Sequence, residues 1–287
     1  MEKKLKVILD CDMAIGHFAS DIDDAFAYIW LKEEVKLLGI TCVHGNARQG
    51  ACYAITNKMT KLLKDDVKVY RGAYGKKDLG KRSEATDFIL DMAEQYKNEL
   101  VIVAVGPLTN IASAAMLDSD FSSKVKQLVI MGGFDKKKPA IIHTEFNFFS
   151  SPLAAKIVCE SDIEKIFAPT DVCLKVLFSK EDVNKINSGT QSAEFIKKSV
   201  KRWINLTGIV SLFNILPKGG FVPWDPIAAA GLTHIEKFSF KRCEVRVNNR
   251  GVSRFFEDES SKNVVLTDCD KEWFITELID KINRATE

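Results

Sequence analysis

Four aspartates lie between one apolar strand and one apolar helix near the start of the chain. The stretch Leu5 to Leu9 is apolar enough for a buried strand, and it runs into Asp10-Cys11-Asp12. After ten further residues, Asp23-Asp24 opens the apolar stretch Ala25 to Leu31, which is typical of a buried helix. Carboxylates this close repel one another, and desolvation strengthens the repulsion. The sequence therefore predicts a neutralising partner, for which a hard divalent cation is the obvious candidate.

Strand and helix patterns alternate along most of the remaining chain. The main predicted strands and helices are Lys36–Val43, Gln49–Leu63, Val67–Tyr70, Ala85–Asn98, Leu100–Val105, Gln127–Met131, Ser151–Ser161, Ile166–Pro169 and Trp273–Ile282. Phe238–Val247 alternates and is predicted to be an edge strand or a hairpin. This order predicts an α/β fold in a single domain spanning 1–287, with a mainly parallel central sheet flanked by helices on both faces. In such sheets ligands bind at the carboxyl ends of the strands.

Composition and charge limit the classes of partner. The chain has 287 residues, of which 46% are hydrophobic and 28% charged, as in an ordinary soluble protein. A net charge of +2 gives no reason to expect nucleic acid or a membrane surface as a partner, and the chain has no apolar run long enough for a membrane span. Seven cysteines without a CxxC pair predict buried, reduced thiols. Together with a first strand that leaves no room for a signal peptide, they predict a cytoplasmic protein.

Two segments have weaker patterns. The lysine block Lys136–Lys138 is expected to be a solvated loop. The segment Phe195–Phe221 fits either a helix followed by a mobile lid near a site or a surface excursion.

Further polar groups follow other strands and could complete a cation site. Asp225 stands between two prolines before an apolar helix, and a helix N-cap is the alternative role for it. The carbonyl of Val105, at the end of a strong strand, could supply another oxygen. Asn46 follows the second strand, where a simple turn is the alternative. Glu145 and Asn147 offer carboxylate and amide groups suited to sugar hydroxyls.

These motifs, taken in order, resemble the nucleoside hydrolases, the inosine–uridine preferring N-ribohydrolases. The family opens with a strand ending in DxD, then a Gly-containing loop, then DDA and an apolar helix. The matching segments here are Asp10-Cys11-Asp12, Asp23-Asp24-Ala25, His44-Gly45-Asn46, Tyr70-Arg71-Gly72, Val105-Gly106-Pro107-Leu108-Thr109-Asn110, Met131-Gly132-Gly133, Glu145-Phe146-Asn147, Asp171-Val172 and Trp224-Asp225-Pro226. The resemblance covers almost the whole chain.

The resemblance implies calcium-dependent hydrolysis of the N-glycosidic bond of nucleosides, often by a dimer or tetramer. The implied calcium ligands are Asp12, Asp24, Asp225 and the backbone oxygen of Val105. Asp12 would also be the general base for the attacking water, whose pKa a cation lowers. Positive charge would build on the sugar, as in glycosidases. The implied contacts to the ribose hydroxyls come from Asp23, Asn46, Glu145 and Asn147.

The chain departs from the family pattern in its first loop. Ten residues, Met13 to Ile22, separate Asp12 from Asp23, more than is usual in the family, and the usual DPG is missing, although Gly16 could serve as the flexible residue. The loop contains Asp21 and also His17, which is either an acid for the leaving group or a solvent-facing histidine.

Position 224 bears on the leaving group. Family members that act broadly often have histidine there, whereas purine-preferring members have tryptophan, which stacks on the base. Trp224 therefore points to purine nucleosides, with a core tryptophan as the alternative.

Two other functions fit parts of the pattern. A haloacid dehalogenase-type phosphatase also has DxD after its first strand and binds magnesium. It would need Thr or Val where Ala14 stands, and it leaves Asp23-Asp24 and Trp224-Asp225 unexplained. A non-catalytic, metal-dependent binder of ribose or nucleosides, disabled by the longer loop, is the third alternative.

Overall fold

The computed structural model describes residues 4–18, 20–135, 145–210 and 219–287, with the side chains of 207–210 excepted. The lysine block Lys136–Lys138 therefore lies outside the described residues, as does the part of the Phe195–Phe221 segment at 211–218. The strands are β1 Lys6–Cys11, β2 Lys36–Cys42, β3 Val69–Arg71, β4 Leu100–Ala104, β5 Val125–Met131, β6 Glu164–Ala168, β7 Phe178–Ser179, β8 Gly220–Phe221, β9 Phe238–Val247, β10 Ser253–Glu257 and β11 Val264–Cys269.

The helices alternate with these strands along most of the chain. They are α1 Asp24–Glu34, α2 Gln49–Leu62, α3 Glu84–Gln95, α4 Thr109–Leu117, α5 Phe121–Lys124, α6 Phe146–Ser150, α7 Pro152–Cys159, α8 Thr170–Cys173, α9 Lys180–Lys185, α10 Gln191–Val210, α11 Trp224–Thr233 and α12 Lys271–Thr286, with 3₁₀ turns at Lys76–Asp78 and Ile235–Lys237.

Nine of the strands in the described part of the chain form one sheet, in the order β10-β9-β11-β6-β5-β4-β1-β2-β3. Pairing is parallel from β11 to β3. The predicted α/β fold with a mainly parallel sheet is confirmed. The antiparallel part is the β9–β10 hairpin beside β11. Phe238–Val247 was predicted to be an edge strand or a hairpin by itself, and this is wrong: it is a single strand paired on both sides, it forms a hairpin with β10, and β10 is the edge.

The strand order reverses between β1 and β4. From β1 the chain continues outward through β2 and β3, whereas from β4 it continues the other way through β5 and β6. Such a switch point leaves a crevice at the carboxyl ends of the two central strands, because their following connections diverge to opposite sides. Asp12 and Val105 directly follow β1 and β4, so the fold brings both to this crevice.

Helices cover both faces of the sheet. Helices α1, α11 and α12 pack together on one face, and helices α3, α4 and α7 pack together on the other. Each group of three helices covers a separate apolar cluster. Helix α1 is buried on all sides from Ala25 to Leu31, which explains its uniformly apolar sequence. Trp30 fixes it in place by stacking on Phe274 with ring centroids 5.5 Å apart and by donating Nε1–H to Thr233 Oγ1 at 2.9 Å.

All seven cysteines lie in the described part of the chain, and they are buried and free, as the sequence predicts. Among the described helices, none is both long and apolar enough to cross a membrane.

Candidate active site

A cavity of ≈ 340 Å³ opens at the switch point of the sheet. Seven of the residues singled out in the sequence line it: Asp23, Asn46, Val105, Glu145, Asn147, Trp224 and Asp225. They come from five different connections, all at the carboxyl edge of the sheet. The cavity therefore gathers residues that are up to 202 positions apart, as in the hydrogen bond from Asp225 N–H to Asp23 Oδ2 at 3.0 Å.

A cluster of three buried carboxylates, the floor of the site, consists of Asp23 and Asp225, which line the cavity, and Asp24. Asp23, Asp24 and Asp225 each offer an oxygen within 4.8 Å of the other two, and all three are buried. Asp23 is the N-cap residue of α1, but its side chain makes no capping bond. Asp225 lies inside the first turn of α11, whose N-cap is Pro223, so Asp225 is not the cap. The local helix ends thus leave these carboxylates available to a ligand.

Asp12 joins this floor through its backbone and its side chain. Its N–H donates to Asp24 Oδ1 at 3.0 Å, and its Oδ2 accepts from the N–H of Asn46. Among the described residues, Asp12 Oδ1 and Asp24 Oδ2 are buried without any hydrogen-bond partner. Position 45 must be glycine for this approach, because a Cβ there would lie 1.9 Å from Asp12 Oδ2.

The four floor aspartates have raised pKa values. Burial, followed by the charge of neighbouring carboxylates, raises the pKa of Asp12, Asp23 and Asp225 well above the usual range. The same causes raise the pKa of Asp24 to about 7. A cation would reverse this shift, since an adjacent positive charge favours the ionised form. Buried oxygens that lack partners are suited to a hard divalent cation, so the donor set fits one.

Asp10 does not belong to the floor. Its Oδ1 accepts hydrogen bonds from Thr41 Oγ1 at 2.5 Å and from Asn110 Nδ2 at 2.8 Å. Burial raises its pKa to about 7, while these two bonds lower it in part. The four aspartates of the sequence motif therefore divide into one that ties β1 to β2 and α4, and three that face the site.

The side-chain amide of Asn147 holds the carbonyl that the sequence singled out. Its Nδ2 donates to the oxygen of Val105 at 2.9 Å and to that of Met131 at 3.2 Å. The amide nitrogen is thus committed to the ends of β4 and β5. A carbonyl has two lone pairs, so Val105 keeps one for a further partner.

Glu145 is the N-cap of the short helix α6. Its carboxylate accepts backbone N–H groups from Asn147 at 2.7 Å, Phe148 at 3.0 Å and Gly133 at 3.4 Å. Burial raises its pKa to about 7 in spite of these bonds. The capping role explains why the side chain is fixed beside the cavity, and its contact with a sugar stays a prediction.

His17 lies apart from the other predicted residues. Its side chain is exposed, its Nδ1 is hydrogen-bonded to Ser20 Oγ at 2.9 Å, and it is not among the described residues that line the cavity. Its role as an acid stays a prediction.

Aromatic side chains form the walls of the cavity. Trp224 is half-buried and faces it together with Trp203 of α10, Phe134 and Phe146. Of these, the sequence identified only Trp224. The sequence did not predict that Asp21 lines the cavity, although the unusual length of the loop that contains Asp21 indicated a departure from the family pattern.

Comparison with known proteins agrees with this geometry. The family described as inosine-uridine preferring nucleoside hydrolase matches residues 7–276. A probable uridine nucleosidase 2 of Oryza sativa subsp. japonica is 29% identical, over 87% of this chain and 80% of the relative. A pyrimidine-specific ribonucleoside hydrolase of Escherichia coli is 29% identical over 60% of this chain and 61% of the relative. Among solved structures, a purine-preferring ribonucleoside hydrolase from Gardnerella vaginalis superposes with a TM-score of 0.85 at 23% identity, covering 98% of this chain and 99% of that one, which supports the fold.

Proposed function

Because the chain belongs to the inosine-uridine preferring nucleoside hydrolases, a family of N-ribohydrolases, we propose that it hydrolyses ribonucleosides with Ca²⁺ as cofactor and favours purine nucleosides. The observation that supports this most is the pair of buried, unpartnered oxygens on Asp12 and Asp24 beneath a cavity walled by two tryptophans. Family membership removes the phosphatase alternative.

In this proposal Asp12, Asp24, Asp225 and the oxygen of Val105 hold the cation. A bound Ca²⁺ would acidify water and engage ribose hydroxyls. Asp12 is suited to take the proton from the attacking water, because Asn46 N–H fixes one of its oxygens and leaves the other free. The bond to the base breaks with its electron pair going to the base nitrogen, and the acidic floor favours the positive charge that develops on the sugar.

Trp224 supports the preference for purines. It is placed at the start of α11, directly before Asp225, so a base stacked on it lies next to the sugar site. A stacked purine is more easily protonated and expelled than an unsupported base. Asp23, Asn46, Glu145 and Asn147 are proposed to contact the ribose hydroxyls.

Uridine is the second candidate substrate. The curated relatives named above are called a uridine nucleosidase and a pyrimidine-specific hydrolase, and at 29% identity they are similar enough to favour that alternative. The two candidates differ only in the leaving base, so one panel of substrates separates them.

The test is release of free ribose from inosine, guanosine, adenosine, uridine and cytidine, with and without a chelator. We expect inosine or guanosine to be the fastest, and we expect Ca²⁺ to restore activity after chelation. Faster turnover of uridine would replace the purine preference by the second candidate. Tight ribose binding without any released base would favour the non-catalytic binder instead.

We also propose a cytoplasmic location, supported by the seven free cysteines, and a homo-oligomeric assembly. Light scattering on the purified protein tests the assembly, and a monomer at micromolar concentration would contradict it.

A further inference from the structure

The long loop between β1 and α1 is anchored on two sides. Gly16, at φ +81°, packs against Phe195 of α10, so closely that a Cβ would lie 2.9 Å from the ring. The guanidinium of Arg202, also on α10, lies 5.5 Å from the ring centroid of Phe18. On the other side, Ser20 Oγ donates to the carbonyl of Asn46 at 2.9 Å. These contacts hold the loop at Gly16, Phe18 and Ser20, directly before Asp21.

The last polar residue of this loop, Asp21, faces the substrate cavity. It lines the cavity beside Asp23 and Asn46, and its carboxyl lies within hydrogen-bonding reach of that of Asp23. Its Oδ1 accepts the N–H of Ile22 at 2.8 Å, which fixes the direction of the side chain. Asp21 corresponds to none of the motif positions matched above, so its presence is a property of the lengthened loop.

We propose that Asp21 contacts the sugar and, paired with Asp23, selects ribose over deoxyribose. The inference rests on the proposed function. Two adjacent carboxylates repel. Each already accepts one backbone N–H, Asp21 Oδ1 from Ile22 and Asp23 Oδ2 from Asp225, and its other oxygen can accept a sugar hydroxyl. The two vicinal hydroxyls of ribose provide two donors at adjacent positions, so the pair accepts both. A deoxy sugar leaves one of these acceptors facing the bound sugar without its donor, which is a basis for rejection.

The experiment compares kcat/KM for the best ribonucleoside with that for its 2′-deoxy and 3′-deoxy forms. The variants are Asp21→Ala and Asp21→Asn. Asp91→Asn, an exposed aspartate on α3, is the control for charge, and Phe18→Ala is the control for loop packing. Thermal unfolding of each variant shows whether it is folded.

For Asp21→Ala we expect the ribonucleoside to lose about 10- to 100-fold in kcat/KM, the worth of a hydrogen bond to a charged group. For at least one deoxy form, kcat/KM should fall by less than about threefold. The ratio of kcat/KM for the ribonucleoside to that for this deoxy form should therefore fall by about tenfold. Asp21→Asn, which keeps an acceptor oxygen, should lie between the parent and Asp21→Ala.

Three results would overturn the inference. Equal losses on all three substrates would assign Asp21 to positioning of the loop, especially if Phe18→Ala gave the same loss. A change below about threefold on the ribonucleoside would leave Asp21 without a role. A parallel loss of Ca²⁺ affinity, measured by calorimetry on the protein without nucleoside, would make Asp21 a cation ligand.

The same proteins separate this inference from the proposed function. If the parent releases no ribose from any nucleoside, hydrolysis is wrong, and binding of free ribose against 2-deoxyribose with Ca²⁺ present then decides the role of Asp21. A parent that prefers ribose and an Asp21→Ala variant that does not would support the inference alone. A parent that binds neither sugar would contradict both proposals.

Discussion

Both ends of helix α1 contain clustered acidic residues, but only the acids at its C-terminus are paired with cationic side chains. At its C-terminus, Glu33 and Glu34 face Lys281, whose side chain is 1% exposed. The Lys281 ammonium lies 3.6 Å from Glu33 Oε2 and is in contact with Glu34. Arg284 adds a pair with Glu33 at 2.9 Å. At its N-terminus, Asp23 and Asp24 lie beside Asp12 and Asp225, and none of these four carboxylates forms an ion pair with a lysine, arginine or histidine of the described residues.

The contrast distinguishes acidic residues that stabilise the fold from acidic residues that are available to bind a ligand. Buried charges are costly unless they are paired, so a fold that needs them for stability supplies the partner itself, as Lys281 does for Glu33 and Glu34. Carboxylates at the C-terminus of a helix are also disfavoured by the helix dipole, so Glu33 and Glu34 need this pairing more. The acids at the N-terminus of α1 have no cationic side chain of the described residues as a partner, which supports the proposed role as ligands of a cation from solution.

Loss of the proposed base should have the largest effect. Asp12→Asn keeps the shape of the side chain and removes its basicity, so we expect kcat to fall by about 10²- to 10⁴-fold. Because one of several repelling charges is removed, the melting temperature without Ca²⁺ should not fall. Ribose release and thermal unfolding measure the two effects. Turnover at the parent rate would show that Asp12 is not the base.

We expect a rise in pH to destabilise the protein without Ca²⁺, because of the floor carboxylates, and we expect bound Ca²⁺ to stabilise it. The pKa of Asp24 is raised from 3.8 to about 7, so the folded protein holds a proton that the unfolded chain releases. Its contribution to stability is complete below pH 3.8 and is lost as the pH rises through about 7. The melting temperature without Ca²⁺ should therefore fall between pH 5 and pH 8.

Added Ca²⁺ binds the ionised floor, so its stabilisation should grow over the same pH interval. At a hundredfold excess over Kd it should reach about 2.7 kcal/mol. Asp24→Asn is the matched control, since it should weaken both the pH dependence and the response to Ca²⁺. Equal stabilisation of the parent at pH 5 and pH 8 would contradict the coupling.

Removal of the internal cation should affect stability alone. Lys281→Met keeps most of the apolar stem but leaves Glu33, Glu34 and Glu277 facing one another. We expect the free energy of unfolding to fall by about 2 kcal/mol, less than for a fully enclosed pair because the three carboxylates are partly exposed. Urea unfolding measures this, while kcat of the folded protein should be unchanged. A fall in kcat would mean that the two ends of α1 are coupled.

The smallest expected effect concerns the aromatic wall of the cavity and not its floor. Trp224→Ala should lower kcat/KM for inosine by up to about tenfold, the worth of an aromatic stack. It should have little effect on a nitrophenyl riboside, whose leaving group needs no assistance. Trp203→Ala, at the other tryptophan that lines the cavity, serves as the comparison. Equal losses on both substrates would contradict a stacking role for Trp224.

The sequence allowed part of the cavity's surroundings to be predicted because strand ends converge. Asp12, Asn46 and Val105 each follow an apolar strand, and parallel strands bring such positions to one edge. The hairpin partner β10 and strand β11 were not predicted, because short segments between turns give little periodic signal. Trp203 and Asp21 reach the cavity only through the packing of α10 and the long loop, which no local pattern encodes.

The loop from Met13 to Ile22 begins and ends at fixed points, since Asp12 is tied to Asn46 and Asp23 to Asp225. Doubling the length of a tether whose ends are already held costs only about 0.6 kcal/mol in chain entropy. The span is therefore a natural position for grafting. Peptides of varied length could be inserted between His17 and Phe18, which are exposed, so that the buried start and end of the loop and Asp21 keep their contacts.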